Sequence, residues 1–186
     1  MKNPFLKLAL ALTLSATSSS VLAHVSFVSP SGLQANKSFK AVFSISHGCE
    51  GEPTRSITLT VPEGVIAVKP RPDSRWKISR SNGDYAQSYQ RYGKEVKSGV
   101  KTLTWEGKLE DDEYDEFTFH AYLTSDFKGG DKVYFPVVQT CANNSQLNWT
   151  DTSGKDIHGH GDVNSAPYLP VLENHQQEHS HKAHKH

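Results

Sequence analysis

Hydrophobic and polar residues alternate with a period of two along much of the chain between residues 24 and 151. This period is typical of half-buried β-strands, because successive side chains point to opposite faces of a sheet. No long stretch has the helical period. The pattern therefore predicts one all-β domain of about eight or nine short antiparallel strands in a β-sandwich. The inward positions of its clearest strands are Phe39, Ala41, Phe43 and Ile45; Ile57, Leu59 and Val61; and Phe117, Phe119, Ala121 and Leu123.

Turn-forming residues separate the predicted strands. The segments PEG (62–64), SNGD (81–84) and KGGD (128–131) are turn signals. Pro136 interrupts an otherwise apolar run and predicts an edge strand or a bulge there. The acidic segment 108–117 is predicted to be a solvated connection.

The first 23 residues have the pattern of a secretory signal peptide. Lys2 and Lys7 give a positive start, an apolar stretch follows at Leu8–Leu14, and small residues precede a cleavage point after Ala23. The alternative is an uncleaved anchor. No later apolar run is long enough to span a bilayer, so we expect a periplasmic or secreted mature chain without a membrane span.

The C-terminal segment, residues 152–186, has few apolar positions and is predicted to be a flexible tail. Its histidine content indicates a natural metal-collecting segment that binds Cu(II), Zn(II) or Ni(II) weakly. The alternative is a solvated polar tail with no dedicated metal role. Seven of the ten histidines of the chain lie here: His158, His160, His175, His179, His181, His184 and His186.

Charge and sulfur content narrow the classes of function. With the leader removed, the chain has 18 basic and 20 acidic side chains, which gives no reason to expect a nucleic acid or an anionic membrane as partner. Cys49 and Cys141 are the two cysteines, and in an exported protein such a pair predicts a disulfide, with two thiolate metal ligands as the alternative. Met1 is the only methionine, so a blue-copper electron carrier with an axial Met is not expected.

His24 becomes the first residue of the mature chain if cleavage follows Ala23. Its free α-amine would titrate near pKa 8, so a metal ion can displace the proton near neutrality. The amine and the imidazole of one residue can then chelate one ion. Two nitrogen donors in such a ring favour Cu(II), which stands highest in the divalent affinity order.

Several motifs together resemble the YcnI-like copper-binding proteins: HVSF at 24–27, HGCEGEPT at 47–54, EFTFHAYL at 116–123, YFPVVQTC at 134–141 and LNWTD at 147–151. The resemblance implies a cupredoxin-like β-sandwich. It also implies a Cu(II) site built on one N-terminal histidine, completed by an acidic residue and a nearby tryptophan. Matched to this chain, these residues are His24, Glu50 and Trp149.

Some site assignments stay open at this stage. Glu52 competes with Glu50 as the acidic ligand, His47 is a further candidate ligand, and Trp149 has an alternative role as a core residue. The expected function is copper trafficking or homeostasis without catalysis, with the copper ion and another copper-handling protein as partners. The alternatives are a copper-dependent redox enzyme with a second histidine ligand, and a general metal scavenger that works through the tail.

Overall fold

The fold is built from antiparallel β-strands. A computed structural model describes residues 25–154 and 164–173, and this part of the chain contains eleven strands and no helix. No helix in this part is long and apolar enough to cross a membrane. The strands are β1 (Ser26–Ser29), β2 (Lys37–Ile45), β3 (Thr54–Thr60), β4 (Val65–Pro70), β5 (Lys77–Arg91), β6 (Lys94–Leu109), β7 (Asp115–Leu123), β8 (Lys132–Tyr134), β9 (Val137–Cys141), β10 (Gln146–Trp149) and β11 (Tyr168–Pro170).

These strands form two main sheets. One has the order β1-β2-β7-β4 and the other the order β10-β9-β3-β6-β5, while β8 and β11 form a small separate pair. The predicted antiparallel β-sandwich is therefore confirmed. Its inward faces follow the alternation in the sequence: Phe43, Leu59 and Phe119 are all fully buried in one core. The Phe43 ring packs at 5.3 Å from Phe117, and such aromatic pairs add to the burial of their own area.

Two of the three predicted turns are confirmed and one is wrong. PEG connects β3 to β4 and KGGD connects β7 to β8, but SNGD lies within the 15-residue strand β5. The β5–β6 register shifts beside SNGD, and Gly83 pairs with Gly99. A Cβ atom on Gly99 would lie 2.0 Å from the Tyr85 hydroxyl, so this glycine permits close packing within a strand.

At Pro136 the chain passes from one sheet to another. It separates β8, which pairs with β11, from β9, which pairs with β3 and β10. The Pro136 carbonyl accepts a hydrogen bond from the Thr60 amide at 2.8 Å. The proline thus ends one strand pairing as expected, but it lies between two strands and not in an edge strand or a bulge.

The predicted domain boundary after Asp151 needs correction. Residues 164–173, assigned above to a flexible tail, pack against the sandwich, and Leu169 and Val171 are buried in its core. Tyr168–Pro170 forms strand β11 on β8. The segment was missed because one three-residue strand gives no detectable periodicity. The seven predicted metal-binding histidines of the tail lie outside the described residues.

The acidic connection is also shorter than predicted, because Asp115 is buried at the start of β7. Its carboxylate accepts hydrogen bonds of 2.7 Å from the Trp76 indole and the Arg75 guanidinium. A buried carboxylate needs such partners, since an unpaired charge in the interior is costly. These bonds tie the β4–β5 connection to the start of β7.

Candidate metal site

The candidate site is centred on the loop between β2 and β3, residues 46–53, which we call the Glu50 loop. It contains three of the predicted ligands, His47, Glu50 and Glu52. His24 lies outside the described residues. The structure therefore shows the predicted site from Val25 onwards.

A two-residue turn forms the tip of the Glu50 loop. Cys49 and Glu52 exchange both backbone hydrogen bonds, at 3.1 Å and 3.0 Å. The two central residues have positive φ angles, 53° at Glu50 and 89° at Gly51. This combination defines a type I′ turn, in which asparagine, aspartate or glycine is preferred at the first central position. The turn therefore presents the exposed side chain of Glu50 at its tip.

Glutamate is an unfavourable choice for the left-handed backbone conformation at Glu50. A non-glycine residue held there costs about 1 kcal/mol, and such costs concentrate at functional sites. The side chain of Glu50 forms no hydrogen bond or ion pair with the described residues that would offset this cost locally. The strained, exposed carboxylate is thus a reason to assign a function to Glu50.

The predicted disulfide is confirmed. Cys49 and Cys141 are bonded, with Cα atoms 6.0 Å apart and 92 residues of separation in sequence. Both cysteines are buried, which removes thiolate metal ligands from the alternatives. The bond fixes the residue before Glu50 to the end of β9 in the other main sheet.

Two further contacts hold the backbone of the Glu50 loop. The Gln139 side-chain amide donates to the His47 carbonyl at 2.9 Å and to the Thr54 hydroxyl. The Gly48 amide donates to an Asp111 carboxylate oxygen at 3.0 Å. Neither Gln139 nor Asp111 was identified from the sequence, since each lies more than 60 residues from its partner in the loop. The loop therefore has a fixed backbone and an exposed acidic tip.

The first described residues place the N-terminal end of the domain beside this loop. Ser26 pairs with Ser44, so β1 begins where β2 ends and the Glu50 loop begins. Val25 is buried in the core, with 8 % of its surface exposed. Consecutive Cα atoms are about 3.8 Å apart, and His24 is therefore covalently tied to this end of the sandwich.

Trp149 lies elsewhere in the sandwich. It is buried in the core, with 4 % exposure, at the end of β10 opposite Val137. The disulfide that holds the Glu50 loop joins Cys141, at the other end of β9, about 13 Å away along the strand. His47, Glu50 and Glu52 thus share one loop without forming a metal-binding group, and the backbone of Trp149 does not lie beside them.

His120 is separated from the Glu50 loop as well. It is exposed on the outer face of β7, five residues from Asp115, which pairs with Ile45 at the loop end of β2. Five extended residues span about 17 Å. Among the described histidines, only His47 lies in the Glu50 loop. It is therefore the remaining candidate for the second ligand that a two-histidine brace requires. Residues 25–154 and 164–173 contain no group of three or more His, Cys, Asp or Glu side chains that could hold a metal ion.

A separate open cleft of about 320 Å³ lies between the β3–β4 turn and β8. Glu63 is the only carboxylate among its described lining residues, which include no histidine. Burial tends to raise the pKa of Glu63, but hydrogen bonds from Lys101 and Tyr89 outweigh it and lower the pKa below its usual value. The described lining of this cleft thus offers neither imidazole nitrogens nor paired carboxylates for a metal ion.

Comparison with known proteins identifies the family. Residues 24–171 match the family described as "Domain of unknown function (DUF1775)", and the chain belongs to this family. It is the family of the YcnI-like proteins, so the resemblance found in the sequence is confirmed at family level. No curated protein matches the chain.

A solved structure with a similar fold comes from Nocardia farcinica. It is an uncharacterized protein described as having an immunoglobulin-like fold. The TM-score is 0.57 at 17% sequence identity, over 80% of this chain and 98% of that chain. The similarity supports the antiparallel sandwich. The solved structure is described as immunoglobulin-like, whereas the sequence predicted a cupredoxin-like sandwich.

Proposed function

We propose that this protein is an exported copper-binding protein that acts in copper trafficking or homeostasis. The α-amine and imidazole of His24 bind Cu(II), and a carboxylate of the Glu50 loop completes the site. One observation carries the proposal: β1 begins beside a loop that the disulfide holds rigid and that presents a strained, exposed glutamate.

The donor set suits Cu(II). A neutral amine and a neutral imidazole leave both positive charges of the ion uncompensated, and one carboxylate offsets part of that charge. Nitrogen and oxygen donors in a tetragonal arrangement are those that Cu(II) prefers. The fixed backbone of the loop reduces the entropy lost when Glu50 becomes ordered on the ion.

The disulfide also fits the proposed export. Disulfides form and persist in oxidising compartments such as the periplasm, and they are rare where thiols are kept reduced. The signal peptide would direct the chain to such a compartment, and its cleavage after Ala23 would release the amine of His24. Export and formation of the site are therefore a single event in this proposal.

Replacing Glu50 by asparagine separates its proposed role from its effect on the turn. Asparagine favours the first central position of a type I′ turn, so E50N keeps the loop and removes the carboxylate. We expect E50N to unfold at an equal or slightly higher denaturant concentration and to bind Cu(II) at least about 10-fold more weakly. Calorimetric titration and chemical denaturation measure the two effects.

The matched control is E52Q, which removes the other glutamate of the same loop. We expect E52Q to keep the wild-type affinity. If E52Q weakens Cu(II) binding and E50N does not, the acidic ligand is Glu52. If neither substitution changes the affinity, a carboxylate ligand from the Glu50 loop is refuted.

The tail histidines are proposed to gather ions at weaker sites. Deleting residues 152–186 would also remove β11 from the sandwich, so we define a tail-silenced protein that keeps the full chain. In it, glutamine replaces the seven histidines His158, His160, His175, His179, His181, His184 and His186.

We expect the tail-silenced protein to bind fewer ions in total but to keep one tight Cu(II) site per molecule. Ni(II) and Zn(II) binding should fall more than Cu(II) binding, because imidazole ligands alone discriminate little among these ions. Equilibrium dialysis with each metal measures the number of ions bound. Loss of the tight Cu(II) site would mean that the tail itself is the site and that the protein is a scavenger.

A further inference from the structure

The outer face of the four-stranded sheet carries a row of basic side chains. His120 on β7 pairs with Lys40 on β2 and with Lys69 on β4, so the three side chains lie in register across three strands. Cross-strand partners project from the same face, about 5 Å apart. Arg71 extends the row, because its amide bonds to the carbonyl of Thr118, one outward position along β7. We call Lys40, His120, Lys69 and Arg71 the basic face.

Folding does not account for the basic face. All four side chains are exposed, so none of them contributes to the core. Within residues 25–154 and 164–173, none of the four has a carboxylate within 4.0 Å. On the outer face of the other main sheet, by contrast, Lys77 lies 3.4 Å from Glu106. The basic face therefore keeps its positive charge available for an external anion.

An exposed aromatic residue borders the basic face. The β5–β6 hairpin ends at Tyr92, which is 72 % exposed, and its ring lies 5.5 Å from Tyr122, the next outward residue on β7 after His120. The Arg91 guanidinium packs over both rings, at 4.9 Å and 5.5 Å from their centroids. Its cation–π contacts hold a further positive charge beside the row.

We propose that the basic face binds the anionic headgroups of a phospholipid surface. Clustered Lys and Arg side chains are attracted to anionic lipid, and a tyrosine beside them suits the interface between headgroups and acyl chains. The face is an exposed sheet surface on which Lys40 of β2 and Lys69 of β4 flank His120 of β7. Several headgroups can therefore contact it at the same time.

A lipid surface fits this face better than a protein partner. The buried centre of a protein interface is depleted of charged residues, and lysine in particular, because those charges would be desolvated. Here Lys40 and Lys69 flank the centre of the basic face. The neighbouring Val42 has only 7 % of its surface exposed, so it offers a protein partner little apolar area. Lysine side chains at a membrane surface keep their ammonium groups hydrated among the headgroups.

The binding is electrostatic and so depends on salt. Each Lys or Arg near an anionic leaflet strengthens partitioning by about five-fold, and the effect falls off within one Debye length. Removing two cations should therefore weaken binding by about 25-fold. The total formal charge of the chain, which is zero, gives no indication of this local excess.

The test uses the mature full-length protein and vesicles of phosphatidylglycerol and phosphatidylcholine in equal parts, with EDTA and at pH 8. EDTA removes metal bridges, and the pH keeps histidine imidazoles neutral. The variant is K40Q/K69Q. The control, R55Q/R80Q, removes two exposed cations from the other main sheet. Melting temperatures confirm that both variants are folded, and co-sedimentation measures the bound fraction.

We expect the wild-type protein and R55Q/R80Q to bind the anionic vesicles, with K40Q/K69Q about 25-fold weaker. Vesicles of pure phosphatidylcholine should bind none of them. The proposal is overturned if the wild-type protein does not bind at low salt, or if the two variants bind equally. It is also overturned if K40Q/K69Q weakens binding to heparin or to nucleic acid while vesicle binding stays absent.

Discussion

One additional residue before His24 should abolish tight Cu(II) binding. An alanine placed there converts the α-amine of His24 into an amide, so the amine–imidazole chelate cannot form. Removing a partner that only contacts a ligand typically costs about 10–100-fold in metal affinity, and loss of the ligand itself should cost more. Calorimetric titration of the tail-silenced protein, with and without the extension, measures the loss.

A cleavable extension supplies the control for this prediction. A protease that cuts directly before His24 should restore the affinity within the same preparation, which excludes misfolding as the cause. Tight binding by the uncleaved protein would show that the copper site lies elsewhere. The leading alternative would then be a site without the α-amine, in which His47 or a carboxylate of the Glu50 loop binds the ion.

Removal of the disulfide should have the largest effect on stability. The bond closes a separation of 92 residues, and the chain-entropy model assigns about 4–5 kcal/mol to such a loop. We expect C49A/C141A to lose about that free energy of unfolding and about 10–20 °C in Tm. Alanine avoids placing a hydroxyl at two positions that are buried.

Denaturant unfolding of C49A/C141A, and of the wild-type protein under reducing conditions, measures this effect. The two should agree within 1 kcal/mol, which is about the error of such extrapolations. Because the bond also holds the Glu50 loop, Cu(II) affinity should fall in C49A/C141A, measured without reductant. An unchanged unfolding midpoint would refute the stabilising role of the bond, and unchanged copper affinity would separate the bond from the site.

The inward faces of the strands could be predicted because alternation is a local property. Phe43, Leu59 and Phe119 stand at alternate positions of segments with no competing pattern, and each is fully buried. The failures depend on distant partners. Asp115 is buried because Trp76, 39 residues earlier, donates to its carboxylate. Gly83 resembled a turn residue, but its partner is Gly99 in a paired strand.

For the candidate site, the structure confirms the predicted disulfide, while the ligand set around His24 stays a prediction. The position of His24 after a cleavage motif and the pairing of Cys49 with Cys141 are both properties of the sequence. The type I′ conformation at Glu50 is not, because glutamate is disfavoured in that turn. The location of Trp149 depends on the register of β10 with β9, and the sequence contains no indication of it.

The most direct test of the central claim is electron paramagnetic resonance of the tail-silenced mature protein with one equivalent of Cu(II). We expect one tetragonal Cu(II) species with nitrogen coupling from one imidazole and one amine, and a changed spectrum in E50N. We also expect that an alanine before His24 eliminates this species. A spectrum with several imidazole ligands, unchanged by the extension and by E50N, would contradict the account.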